Sequence, residues 1–350
     1  MPISFITGVC GQDGSLLAEF LLDRGHVVHG MKRRSSSFNT QRVDHLYENK
    51  NFQLHYGDLT DSLNVIRLIS DIKPDYIFNL GAMSHVAVSF EEPEYTANCD
   101  GLGVLRLLEA IKILGLEKRT KLYQASTSEM LGGIPGTEPQ NEFTKFQPQS
   151  PYACAKLFAH HLIGIYRQMG IWCCAGILFN HEGERRGPTF VTKKITRSVA
   201  RISCGLQKSF SLGNLNALRD WGNALDYVEA MWLMVQQSEP KDFIISTGQQ
   251  HSVREFVEQS FKRVNIEIVW QGSGLDEIGI NKITGQTIVT VDPKYFRPLE
   301  VESLLGDSSL ARQELNWQPK ISFDQLVDEM IERDLRDAKQ EVYLKKEINV

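Results

Sequence analysis

The chain has 350 residues, 42% of them hydrophobic, enough apolar material to bury the core of one large domain or two intimately joined ones. A formal net charge of -5 and a pI near 6.0 describe a mildly acidic protein and argue against nonspecific nucleic-acid binding, while leaving room for local basic pockets that hold phosphates. Six scattered cysteines without CxxC spacing, with no secretory signal and no apolar run of the ~18 residues a membrane span needs, predict buried free thiols in a cytoplasmic protein with no metal site and no membrane partner.

In chain order, the apolar run Ile3 to Thr7 stops at a glycine and is followed by a helix-like segment from Leu16 to Leu22, which reads as strand, turn, helix. Further apolar runs are His26 to Met31, Phe52 to Tyr56, Tyr76 to Leu80 and Lys121 to Gln124, each separated by enough chain for a crossover helix. One crossover is explicit: Val104, Leu107, Leu108 and Ile111 recur at helical spacing, with Arg106, Glu109 and Lys112 on other faces. After residue 178 the regularity weakens through about residue 225, a second irregular stretch runs from Gln271 to Thr287, and an amphipathic helix from Phe323 to Lys339 closes the chain before a charged tail. The pattern predicts an α/β chain with a Rossmann-type, doubly wound parallel sheet over residues 1–178, a return segment near 220–248, and a smaller mixed α/β substrate-binding lobe interleaved from 179–219 and 249–350.

Between the first strand and first helix, Thr7-Gly8-Val9-Cys10-Gly11-Gln12-Asp13-Gly14 places three glycines at i, i+3 and i+6. There the backbone can approach a pyrophosphate at a helix N-terminus, where free N–H groups and the helix dipole favour anions. The second strand ends in Gly30-Met31-Lys32-Arg33-Arg34-Ser35, without the Asp or Glu that holds the ribose hydroxyls of NAD. Cations and hydroxyls suit a 2′-phosphate, so the expected cofactor is NADP. Asp58, in Gly57-Asp58-Leu59 after the third strand, could accept a bond from the adenine amino group or only cap the next helix.

Tyr152 and Lys156, four residues apart, share one face of a helix, where an ammonium stabilises phenolate. The preceding strand ends in Ala125-Ser126-Thr127-Ser128-Glu129. Thr127 can hold a sugar hydroxyl while Tyr152 takes its proton, but hydride transfer alone does not require Glu129. Removing a proton from the carbon beside a new carbonyl does require a base, and a carboxylate in a partly dry pocket is suited to it.

At these residues the chain resembles the GDP-mannose 4,6-dehydratase family of extended short-chain dehydrogenases/reductases. Matching segments include Arg33-Arg34-Ser35-Ser36-Ser37-Phe38-Asn39-Thr40, Ser84-His85-Val86-Ala87-Val88-Ser89-Phe90, Ser126-Thr127-Ser128-Glu129 and Leu178-Phe179-Asn180-His181-Glu182. Others are Phe190-Val191-Thr192-Lys193-Lys194-Ile195-Thr196, Leu218-Arg219-Asp220-Trp221-Gly222 and Tyr295-Phe296-Arg297-Pro298. The resemblance implies a hydro-lyase of nucleotide-sugar metabolism with Thr127, Glu129, Tyr152 and Lys156 as its catalytic set. It implies NADP contacts from Gly8, Gly11, Gln12, Asp13, Gly14, Arg33, Asp58, Leu59, Leu80, Gly81, Ala82, Ser84, His181 and Arg186, and GDP-sugar contacts from Ser84, Asn180, Lys194, Arg219, Arg297 and Glu300. It also implies a homodimer or homotetramer, with the loop from Arg33 to Thr40 reaching a neighbour's cofactor site. Three departures from the family pattern stand out: Met83 where glutamine is usual, Met130-Leu131-Gly132 in place of a motif that usually has an aromatic before its glycine, and Cys10 in place of threonine. The first two, expected close to the sugar, leave a GDP-heptose as an alternative substrate. A GDP-sugar 4-oxidoreductase or epimerase, which would not need Glu129, is the alternative reaction.

Overall fold

The computed structural model describes residues 1–348. Apolar runs with short polar breaks become the strands β1 (Ile3–Thr7), β2 (Val27–Lys32), β3 (Phe52–Tyr56), β4 (Tyr76–Asn79), β5 (Lys121–Thr127) and β6 (Cys173–Leu178). Between them run α1 (Gln12–Leu22), α2 (Ser62–Ile72), α3 (Val86–Ser89), α4 (Pro93–Thr96), α5 (Gly103–Ile113) and α6 (Pro151–Gln168). A π-turn over Ala97–Leu102 joins α4 to α5 and turns Asp100 inward to 1% exposure. The rest of the chain holds β7 (Asn180–Glu182), α7 (Val191–Ser203), β8 (Phe210–Leu212), β9 (Leu218–Arg219), β10 (Trp221–Asn223), α8 (Ala224–Gln236), β11 (Phe243–Ile245) and β12 (His251–Ser252). It continues with α9 (Val253–Lys262), β13 (Ile268–Gln271), β14 (Ile278–Asn281), β15 (Thr287–Val291), α10 (Ser309–Leu315) and α11 (Phe323–Ile348).

Seven strands form one sheet in the order β11-β6-β5-β4-β1-β2-β3, every neighbouring pair parallel. It is the doubly wound sheet expected from the alternation of runs. The chain leaves β1 toward β2 and β3, then crosses back to β4 on the other side. That reversal opens a crevice beyond the C-terminal ends of β1 and β4, where such folds bind ligands. One face of the sheet is covered by α1 and α8 through Leu17, Leu21, Tyr227 and Met231. The other is covered by α2, α5 and α6 through Val65, Leu68, Val104, Leu108 and Ile163.

A second core gathers Ile195 and Val199 of α7, Phe256 and Phe261 of α9 and Leu326 and Met330 of α11, against the sheet β13-β14-β15-β8. Helix α7 arises inside the stretch the apolar pattern marked as irregular. Its buried stripe includes Thr192, Lys193, Thr196 and Ser198, which carry no hydrophobic signal. Two of them are met by Asp334 of α11, with Lys193 Nζ 2.8 Å and Thr196 Oγ1 2.7 Å from its carboxylate, and Thr192 donates to Glu182. The stretch from Gln271 to Thr287 likewise turns out to carry β14, and α11 runs past Lys339 to Ile348. The expected division also needs a correction at α10. Ala311, Leu315 and Trp317 lie in the residues assigned to the lobe, yet they pack on the α1/α8 face of the large sheet. The Trp317 indole N–H fixes them there by donating to the Asp226 carbonyl at 2.8 Å.

All six cysteines are free of disulfides, but they are not uniformly buried: Cys99, Cys173 and Cys174 are, whereas Cys154 is exposed. Among the described residues no helix is long and apolar enough to cross a membrane.

Candidate active site

The glycine loop is shaped by contacts that exclude side chains. Gly8 has φ +69°, in the left-handed region, and a Cβ there would lie 2.8 Å from the Gly81 backbone beyond β4. A Cβ on Gly14 would lie 2.4 Å from the Gly8 carbonyl oxygen, so α1 can leave the loop this closely only from a glycine. Gly11 begins α1 with no side-chain cap, leaving the first-turn N–H groups free of side-chain acceptors. Such a narrow cradle at an uncapped helix start fits the pyrophosphate of a dinucleotide.

Asp13 and His181 are turned toward each other. His181 Nε2 lies 2.8 Å from Asp13 Oδ2, and its Nδ1 lies 2.8 Å from the Phe179 carbonyl oxygen. Both ring nitrogens face acceptors, which favours the imidazolium. Burial works against that charge, but the Asp13 carboxylate and the Phe179 carbonyl outweigh it and raise the pKa of His181 above its usual value. Burial likewise opposes ionisation of Asp13, and the His181 charge and hydrogen bond, with help from Gln12, hold its carboxyl below the usual range. Gln12 Nε2 also donates to the His181 carbonyl at 3.1 Å. His181 stacks on Tyr227 with ring centroids 4.5 Å apart. The geometry makes His181 a brace for the glycine loop, its polar atoms already taken up within the protein.

A buried polar ladder crosses the sheet ends. Thr7 Oγ1 accepts from the N–H groups of Leu80 and Gly81 and donates to Asn79 Oδ1 at 2.6 Å. Asn79 Nδ2 donates to Gln124 Oε1 at 2.7 Å, and Gln124 Nε2 donates to the Ala125 carbonyl oxygen at 2.7 Å. That same oxygen accepts from Lys156 Nζ at 3.0 Å. The ladder ties the β1–β4 crevice to α6, whose start is fixed by Ser150: its hydroxyl caps the Ala153 N–H at 3.1 Å, and Pro151 takes the first helical position.

Tyr152 follows in the first turn of α6 and meets Thr127 at the end of β5. Thr127 Oγ1 accepts from the Glu129 N–H at 3.2 Å and stands beside the Tyr152 phenol, so one hydroxyl lies next to both groups. Burial pushes the Tyr152 phenol well up, the Asp100 carboxylate adds to that, and the Thr127 hydroxyl only partly opposes it. The Lys156 ammonium lies over the Tyr152 ring, 5.8 Å from its centroid.

Glu129 is 7% exposed, and its Oε1 accepts from Arg297 Nη1 at 3.2 Å. Glu300 binds the same loop, accepting from the Arg297 N–H at 3.4 Å and lying 3.5 Å from Arg219 Nη2. Thr127, Glu129, Tyr152, Arg219, Arg297 and Glu300 therefore form one cluster. Lys194 reaches it less directly, placing its ammonium 3.2 Å from the centroid of the Tyr295 ring. Asn180 lies on β7, beside Trp221 of β10, and its side-chain oxygen is buried without a partner. Arg186 ion-pairs with Glu182 at 2.8 Å and lies over the Phe190 ring, which packs against His85. Ser84 and Ala82 line the segment after β4, with Ser84 exposed. Arg33 is exposed and donates to the Tyr95 hydroxyl. Asp58 accepts from the N–H and hydroxyl of Thr60, and the next helix is capped by Asp61 instead. Leu59 is buried against Gly103.

One placement overturns an expectation about the sugar pocket. Met130 is fully buried with Leu131, Ile177, Phe179, Ile244, Val301 and Leu304, so it fills the joint between the two bodies and cannot shape a sugar site. The Met83 N–H donates to Asp100 Oδ1 at 2.7 Å. Asp100 itself, missed in the sequence, is a buried carboxyl raised by burial against the pull of Lys156 and the Met83 N–H. A signal was present, because an acid at position 100 leads the apolar stripe of Val104, Leu107, Leu108 and Ile111 at helical spacing.

The model of the family described as GDP-mannose 4,6 dehydratase matches residues 5–330 of this chain. The GDP-mannose 4,6-dehydratase of Vibrio cholerae serotype O1 is 56% identical over 360 residues, covering 98% of this chain and 96% of that one. Among solved structures, dTDP-glucose 4,6-dehydratase from Bacillus anthracis in complex with NAD superposes with a TM-score of 0.79 at 18% identity, covering 97% of this chain and 98% of that one. RMD from Pseudomonas aeruginosa complexed with NADPH gives a TM-score of 0.74 at 20% identity, covering 96% and 100%. At those identities the structures share the fold.

Proposed function

The chain belongs to the GDP-mannose 4,6-dehydratase family, and from that premise we propose how its residues remove water from GDP-mannose with NADP as the resident cofactor. The activity is that of a hydro-lyase working through a nicotinamide. When bound, the oxidised nicotinamide would supply a positive charge and reversible hydride acceptance for the sugar. The residues that would hold the cofactor are the glycine cradle, the Leu80–Gly81 backbone and Lys156. Support for NADP over NAD is the end of β2, where Lys32, Arg33 and Arg34 stand in place of an acid.

In this reading Tyr152 Oη takes the proton of the C4 hydroxyl, with Thr127 Oγ1 holding the geometry. Burial keeps the Tyr152 phenol protonated until a proton acceptor role is called for at the C4 hydroxyl. The resulting 4-keto group acidifies C5–H, Glu129 removes that proton, and the same carboxyl protonates the departing C6 hydroxyl. Arg219 and Arg297 hold the diphosphate. The observation that carries the reading is the place of Glu129: a buried carboxyl in the turn just after β5, its N–H held by the threonine that stands beside Tyr152. A 4-oxidoreductase or epimerase has no use for it. GDP-heptose is not favoured, since the full-length relatives are named for GDP-mannose and Met130 faces away from the sugar. The test is Glu129→Gln, assayed for water loss and for C5 proton exchange. Parental rates of both would make the carboxyl structural.

Assembly is part of the proposal. Leu102, Phe158 and Ile165, along the π-turn and α6, are 41%, 45% and 51% exposed, an apolar face that suits a second copy of the chain. The exposed Arg33 to Thr40 loop would then be free to reach a neighbour's cofactor. Ultracentrifugation showing only monomer at micromolar concentration would sink this part.

A further inference from the structure

The residue assigned as base is held by an arginine. Arg297 Nη1 donates to Glu129 Oε1 at 3.2 Å, and the two residues are 168 positions apart. Beside them Arg219, 6% exposed, lies 3.5 Å from Glu300, which also accepts from the Arg297 backbone. Two guanidinium groups and two carboxylates thus form a charge-balanced chain, Glu129 to Arg297 to Glu300 to Arg219. Its Arg219 member feels Glu129, Arg297 and Glu300 together, which places all four within one electrostatic neighbourhood.

A nucleoside diphosphate entering between the arginines adds two negative charges beside Glu129 and Glu300. Charge-assisted bonds from a guanidinium to phosphate are short and can be bidentate, whereas Arg297 meets Glu129 through a single nitrogen at 3.2 Å. The added anion also repels the two carboxylates, so this arrangement cannot persist unchanged. We propose that Arg297 is a positioning residue that acts through Glu129, moving from the carboxylate to the substrate's diphosphate so that the nucleotide end of the substrate frees the base for C5. The inference rests on the proposed reading of Glu129 and of the diphosphate site. It explains how the protein withholds its base from sugars that lack the diphosphate: binding energy from a remote part of the substrate assembles the reacting centre.

The main test is a crystal structure of the NADP holoenzyme with GDP. The expected result is Arg297 on a phosphate oxygen and more than about 4 Å from the Glu129 carboxylate, beyond ion-pair distance. GDP bound with Arg297 still hydrogen-bonded to Glu129 would overturn the inference while leaving the substrate reading intact. Failure of GDP to bind would overturn both. Kinetics supply a second readout: Arg297→Gln should raise KM for GDP-mannose by about 10- to 100-fold, as for a lost charged hydrogen bond, with a smaller loss in kcat. Arg297→Lys should recover part of the KM. A loss confined to kcat, with KM unchanged, would mean that Arg297 serves Glu129 throughout the cycle and would overturn the inference.

Discussion

At the β1–β4 end of the crevice, Asp13 is paired with His181, Gln12 braces both, and Thr7, Asn79 and Gln124 form a buried ladder. At the β5 end, Glu129 is paired with Arg297 and Arg219 lies near Glu300, through contacts of 3.2 Å and 3.5 Å. The first set holds a loop whose shape is already dictated by glycines. The second holds charges whose partners are the groups expected to bind an anionic substrate. A cofactor regenerated in every turnover is served by a rigid cradle, while a substrate that must enter and leave is served by pairs that can be exchanged.

The largest expected effect falls at the β5 end. Glu129→Gln should still bind NADP and GDP-sugar, but water loss and C5 exchange should fall by about 10²- to 10⁴-fold, the range for a lost general acid or base. Tyr152→Phe should stop the reaction earlier, so that no reduced cofactor accumulates. If Glu129→Gln were as fast as the parent, the contrast between the two ends would have no chemical meaning.

The next effects test the rigid end. Asp13→Asn leaves the His181 imidazolium without its counter-charge and should cost about 3 kcal/mol of stability, as for a broken buried pair. The dependence on pH has a definite sign. His181 has a folded pKa above 6.5, so its contribution is complete below 6.5 and is lost as pH rises through the raised value. Asp13 has a folded pKa below 3.8, so its contribution is present above 3.8 and is lost as pH falls through the depressed value. The difference in Tm between parent and Asp13→Asn should therefore be greatest between pH 3.8 and 6.5 and shrink on the alkaline side. A pH-independent difference would remove the ion pair from the account. Gly14→Ala should cost about 1–3 kcal/mol by overpacking, with loss of bound cofactor visible in the absorbance of the purified protein. The smallest effect is expected at the exposed edge. Arg33→Asp should weaken NADP by about tenfold relative to NAD in calorimetry on stripped protein, a value near the low end for a charged hydrogen bond.

What could be read in advance followed what is local in sequence. Strands β1 to β6 are short apolar runs between turn residues, the glycine loop has a fixed spacing, and Tyr152 and Lys156 share a helix face because they are four apart. What escaped depends on partners far along the chain. Helix α7 hides Lys193 and Thr196 because Asp334 comes to meet them, 138 positions from Thr196. The pairs His181–Asp13 and Arg297–Glu129 each span 168 positions, so no window of sequence contains both members. Met130 shows the opposite failure. Its position next to Glu129 suggested the sugar pocket, but in a short turn consecutive side chains diverge, and this one points into the core.

Mass spectrometry of the product formed from GDP-mannose by the NADP holoenzyme in heavy water tests the central claim, that Glu129 turns a C4 oxidation into loss of water. The account predicts a GDP-sugar lighter than the substrate by one water and carrying solvent deuterium at C5, with both features absent in Glu129→Gln. A GDP-sugar of unchanged mass, or one that has lost only two hydrogens, would contradict it.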